Sequence, residues 1–120
     1  MKIAVTSQGQ DVGAQVDPRF GRAKWFLVVD TDSGEVEVAN NTQNLEAAQG
    51  AGIQSARNVA TLGAACVLTG HCGPNAFRTL SAAGIQIYLG VKGTVAEAVE
   101  QFKAGQLKPT DNADVEGHWV

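Results

Sequence analysis

The chain has 120 residues, the size of one ordinary domain, with 44% apolar residues and a net charge of −3. That mild acidity excludes a protein that grips nucleic acid by bulk positive charge, and the apolar content excludes a disordered chain. No apolar run approaches the ~20 residues of a membrane span, and two cysteines are too few for a disulfide scaffold. The first residues, Met1 to Thr6, pass straight into a strand-like run, so a cytoplasmic location is expected.

In chain order, Ile3–Ser7 is a short β-rich run that stops at Gln8-Gly9-Gln10. Trp25–Asp30 is a second run, Thr31-Asp32-Ser33-Gly34 is a turn by composition, and Glu35-Val36-Glu37-Val38 alternates polar and apolar. This predicts a hairpin whose second strand is an exposed edge. From Ile53 the period changes: Ile53, Ala56, Val59, Ala60 and Gly63 follow helical spacing. Cys66–Thr69 reads as a strand buried on both faces. Gly73-Pro74-Asn75 opens a helix with proline at its first position, and Ile85–Leu89 is the next strand. Thr94 and Glu97 form a capping box before a helix with Val95, Ala98, Val99 and Phe102 on its apolar stripe, and Gly105 suits its stop.

The alternation of strands and helices in the second half requires parallel neighbours with right-handed crossovers. The expected fold is therefore α/β, a mixed five-stranded sheet of order 3-2-1-4-5 flanked by helices. Residues 1–107 form the expected domain, and 108–120 an irregular tail in which Trp119 docks or meets a neighbour.

Ligands in open α/β sheets bind beyond the carboxyl ends of the parallel strands, where three glycine-rich loops meet. They are Ser7–Gln10, Gly70-His71-Cys72-Gly73-Pro74-Asn75 and Gly90-Val91-Lys92-Gly93-Thr94. The second sets His71 and Cys72 just before a helix start, where free amides and the helix dipole attract anions and favour a thiolate. It reads either as a cradle for an anion or metal cluster with a soft ligand in reach, or as a tight turn with Cys72 idle. Cys66, inside an apolar strand, reads as a small hydrophobe. The cysteines form no C-x-x-C, and His118 sits in the tail, so a closed zinc site lacks its spacing. Lys92 is either one positive charge for an anion at the next helix start or a solvated lysine. Pro18-Arg19-Phe20-Gly21-Arg22 is a local positive patch able to clamp an oxyanion or thioanion, or else a connection with Phe20 in the core and both arginines in solvent.

Strand one carries no carboxylate, as a two-metal nuclease would need, and no Gly-x-Ser-x-Gly motif is present. A nucleophilic Cys72 with His71 as base is disfavoured, because adjacent loop residues seldom turn their side chains toward each other. Hydrolytic catalysis is not supported by these residues.

Val16-Asp17-Pro18-Arg19-Phe20-Gly21-Arg22-Ala23-Lys24-Trp25-Phe26, with Thr69–Phe77 and Ala82–Ile85, resembles the dinitrogenase iron–molybdenum cofactor family over about Met1 to Gly105. The resemblance implies a ribonuclease H-like fold without nuclease activity, and a non-enzymatic role in binding, carrying or assembling a metal–sulfur cofactor. The short length and the His71-Cys72-Gly73-Pro74 loop look closest to small members that hold a molybdenum–copper–sulfide cluster without covalent protein ligands. Such cargo implies a cradle of Arg19, Phe20, Gly21, Arg22, Gly70 to Asn75 and Lys92. His71 and Cys72 would be cluster neighbours first and metal ligands second, with copper favouring the sulfur of Cys72. The family also implies, as alternatives, carriage of an iron–molybdenum cofactor or its precursor, and a docking module for MinD/Mrp-type ATPases that uses the Glu35–Val38 edge or the tail. Cofactor carriers of the family have histidine before Phe-Gly, where this chain has Arg19, so ligation of an iron–molybdenum cofactor is disfavoured.

Overall fold

Strand β1 (Lys2–Ser7) is buried from Ile3 onward, and the sheet grows from it in two styles. On one side β2 (Trp25–Asp30) runs antiparallel, setting Ile3 opposite Val29 and Val5 opposite Leu27, and β3 (Val36–Asn40) runs antiparallel to β2. On the other side β4 (Cys66–Leu68) and β5 (Gln86–Tyr88) run parallel to β1. The computed structural model describes residues 1–41 and 51–110, and there the sheet order is β3-β2-β1-β4-β5, as expected.

Local chemistry explains the joints. Asp30 turns the hairpin: its Oδ1 accepts from the amides of Asp32 at 2.9 Å and Ser33 at 3.3 Å, which hold its carboxyl below the usual range. Gly34 then takes the left-handed conformation, φ +79°, that a side chain would resist. The register of Val29 against Val36 carries β3 on to Asn40, past the expected end at Val38. All five β3 residues are at least partly exposed, with Val36 and Val38 each 42% accessible, so the expected edge strand is present.

Helices α1 (Ala51–Thr61) and α2 (Pro74–Ala82) cover one face, closing over Phe26, Val28, Val59, Phe77 and Leu80. Helix α3 (Val95–Lys103) covers the other, over Ile3, Val5, Leu68, Tyr88 and Val99. These two layers of core are the main source of stability, at roughly 25 cal/mol per Å² of apolar surface removed from water. One short 3₁₀ turn, Phe20–Arg22, replaces the plain loop expected there. None of the described helices is long and apolar enough to cross a membrane. After α3 the described chain is irregular through Lys108 and Pro109, and the Thr110 amide donates to Ile87 O at 2.7 Å. His118 and Trp119 lie outside the described residues.

The capping box of α3 makes a pH prediction. Glu97 Oε1 accepts from the Thr94 amide at 2.9 Å while the Glu97 amide donates to Thr94 Oγ1 at 3.1 Å, and the first bond lowers the Glu97 pKa. A depressed folded pKa stabilises the fold above the unfolded value and loses that benefit as pH falls through the folded one. Glu97→Ala should therefore lower the melting temperature at neutral pH. The gap should close as pH drops below about 4, near and under the ordinary glutamate value; a gap that persists at pH 3 refutes the assignment.

Candidate functional site

The carboxyl ends of β1, β4 and β5 are crossed by a strap, residues 8–19, which returns over the strand it has just left. Backbone bonds tie it down along its length. Gln8 N donates to Gln15 O at 3.0 Å, Val16 N to Gly93 O at 2.9 Å, and Asp17 N to Thr6 O at 2.9 Å. Beneath it the fully buried hydroxyls of Thr6 and Thr69 lie 2.9 Å apart, and Thr6 Oγ1 donates to Asp17 O at 2.7 Å. The β5 loop joins through Gly90 N to Gly70 O at 2.8 Å and Val91 N to Thr69 O at 3.1 Å. The three glycine-rich loops therefore meet as expected.

Past Pro18 the strap pairs with the β4 loop as a short parallel bridge between Arg19 and His71. His71 N donates to Pro18 O at 2.7 Å, and Phe20 N donates to His71 O at 3.1 Å. Only glycine permits this approach, because a Cβ at Gly70 would lie 2.7 Å from Pro18 O and 2.8 Å from Pro18 Cα. Bridge partners stand side by side, so Arg19, exposed, and His71, half-buried, flank one spot. Asp17 Oδ1 is turned back onto the Arg19 amide at 3.0 Å. Arg22, half-buried, ends the 3₁₀ turn one step further on.

Phe20 and Gly21 are buried and support the turn from below. Phe20 is fully inaccessible and packs, tilted, at 5.5 Å from Phe26. Cys72 also departs from the expected soft ligand in reach. It is fully buried in the core shared with Phe20, Val67 and Phe77, and its Sγ lies 3.6 Å from Gly73 O. The apolar packing of the α2 face draws the small thiol inward, because the position after His71 alternates to the opposite side of the bridge. Cys66, expected as core, is 3% accessible, and burial raises its pKa.

The two helix starts beside these loops differ. At α3, Val95 N donates to Ala14 O at 2.9 Å and Ala96 N to Val12 O at 2.8 Å, while the capping box takes the amides of Thr94 and Glu97. Those amides are used within the chain, and Lys92 stands exposed on the loop before them. At α2 the N-cap is Gly73, no side chain caps the helix, and Pro74 has no N–H to give. The amides of Asn75 and Ala76 precede the first closed turn, Phe77 N to Gly73 O at 2.9 Å, at the positive end of the dipole. Among the described residues, no group of three or more His, Cys, Asp or Glu could hold a bare metal ion. The α2 start, with no side-chain cap, therefore lies next in the chain to the bridge that sets Arg19 beside His71.

One supporting residue left no mark in the sequence pattern. Asn41 is fully buried, and its Nδ2 donates to Ala23 O at 2.8 Å and to Ser55 Oγ at 3.0 Å. Its own amide donates to Lys24 O at 2.8 Å, so it fastens the exit of the arginine turn to α1. A single asparagine after an edge strand has no period to reveal it.

A family model described as dinitrogenase iron–molybdenum cofactor matches residues 1–105. The apo form of the orange protein from Desulfovibrio gigas superposes with a TM-score of 0.93 at 41% identity, covering 95% of this chain and 96% of that one. The NMR structure of a Thermotoga protein described as a NifB protein gives a TM-score of 0.83 at 37% identity, over 97% and 98% of the two chains. An uncharacterised Methanocaldococcus jannaschii protein is 28% identical over 111 residues, 90% of each chain.

The Gly70 seam generates a direct test. Gly70→Ala forces Pro18 away and should destabilise the fold by about 1–3 kcal/mol, the usual cost of overpacking. Amide exchange at His71 and Phe20 should rise more than exchange in β1. Unchanged protection at those two amides would refute the seam.

Proposed function

Because the chain belongs to the dinitrogenase iron–molybdenum cofactor family, we propose that it binds and carries an anionic metal–sulfur cluster where the Arg19–His71 bridge meets the start of α2. The observation that carries this reading is the α2 start, which no side chain caps and which begins three residues after the Arg19–His71 bridge, in a chain whose other nearby helix start has its amides satisfied. The cargo is a molybdenum–copper–sulfide anion, held by charge and backbone amides and not by protein ligands, and the protein is a carrier and not an enzyme. Arginine cannot ligate a metal but can pair with a thiomolybdate in a flat, forked geometry. His71 and the Asn75 and Ala76 amides supply further donors around it, and Lys92 adds long-range attraction from its loop.

The test is reconstitution of the purified chain with tetrathiomolybdate and copper, read by charge-transfer absorption and metal analysis after gel filtration. Arg19→Ala with Arg22→Ala should lower cluster retention about tenfold or more, the scale of one or two lost charged hydrogen bonds. Arg→Lys should restore part of it, and added salt should weaken retention. Cys72→Ala should leave it within about twofold, since the thiol faces the core. Retention untouched by both arginine changes would sink the site, and iron with molybdenum in protein isolated without oxygen would redirect the cargo to an iron–molybdenum cofactor.

A second reading is supported by the β3 edge, where Val36 and Val38 are each 42% exposed. It would serve as a docking strand for a MinD/Mrp-type ATPase. Val36→Lys with Val38→Lys should then abolish ATPase binding while cluster retention stays unchanged; binding that survives removes this surface from consideration.

A further inference from the structure

At the opposite end of the sheet from the loops, two sulfurs face each other. Cys66 opens β4 and pairs in register with Ile3, and Met1 comes two residues before Ile3, just ahead of β1. The Cys66 thiol points at Met1 Sδ across 3.9 Å. Cys66 is 3% accessible and Met1 51%, so the pair joins a buried residue to an exposed one. The thioether does not hang on a frayed end. Thr31 N donates to Met1 O at 2.8 Å and Ala65 N donates to Lys2 O at 2.8 Å, clamping the backbone on both sides.

We propose that Met1 and Cys66 form a site for a single soft monovalent cation, Cu(I) in chemical class, separate from the loop cradle. A thiolate with a thioether is the donor pair that selects Cu(I) over hard divalent ions. Two metal–sulfur bonds of about 2.3 Å in the near-linear geometry of a two-coordinate soft cation need about 4.6 Å between the sulfurs, so the Met1 side chain, half exposed, must swing outward by about 0.7 Å. Six residues of β1, at about 3.3 Å each, put the pair roughly 20 Å from Arg19 and His71. Binding breaks the Cys66 S–H bond and forms a metal–sulfur bond; the proton goes to solvent, and no electron changes hands. Burial keeps this thiol protonated at neutral pH, so metal uptake should release one proton.

The chain contains one methionine, which makes the experiment specific. The full chain is labelled at the methionine methyl carbon and titrated with Ag(I), an air-stable cation of the same class, then with Cu(I) without oxygen. The single methyl resonance should shift and saturate at one equivalent. The shift should persist in Cys72→Ala and vanish in Cys66→Ala, whose amide spectrum checks its fold. Protein in which norleucine replaces methionine should lose Cu(I) to a cuprous chelator at least about tenfold more readily. No shift at one equivalent, a shift that survives Cys66→Ala, or equal retention by the norleucine protein would each overturn the site. None of these readouts involves the thiomolybdate cargo, so the loop cradle and the sulfur pair can fail separately.

Discussion

The architecture at the functional end depends on one seam, the return of the strap across the carboxyl ends of its own sheet. Two buried hydroxyls, Thr6 and Thr69, would be costly without partners, and they take each other and the Asp17 carbonyl. That fixes the strap at Asp17, and the glycine at position 70 lets Pro18 lie directly on the β4 loop. From there the geometry is forced in steps: Arg19 beside His71, the 3₁₀ turn that starts at Phe20, and α2 beginning three residues after His71. A shift of the strap by one residue would replace Arg19 with its neighbour at the bridge and invert which side chains face outward.

The two cysteines illustrate how tertiary packing divides identical chemistry. Both are buried, yet they serve different surroundings. Cys72 sits under the loop whose composition suggested a reactive thiolate, but its side chain belongs to the core beneath α2. Cys66 packs as the small hydrophobe expected of a strand interior, and its thiol meets the thioether of Met1. Burial opposes the thiolate of Cys66.

The same logic separates the two helix starts. Every helix begins with amides that need acceptors. At α3 the strap and the capping box fill that need from within the chain, and the helix start is part of the scaffold. At α2 glycine and proline supply neither a cap nor a donor, so the positive end faces the loop cluster.

The sequence by itself determined the fold class, the sheet order, the edge strand and the capped α3, because alternation, helical spacing and capping chemistry are local and repeat along the chain. It also marked the three loops and the arginine pair, since glycine and arginine stand out by composition at predicted strand ends. Only the tertiary structure decided which of these residues face outward. The inward turn of Cys72 and Phe20, the consumption of the α3 amides by Val12 and Ala14, and the anchoring role of Asn41 all depend on contacts between segments far apart in the chain. Side-chain direction at a loop is set by the partner strand that crosses it, and no local pattern encodes that partner.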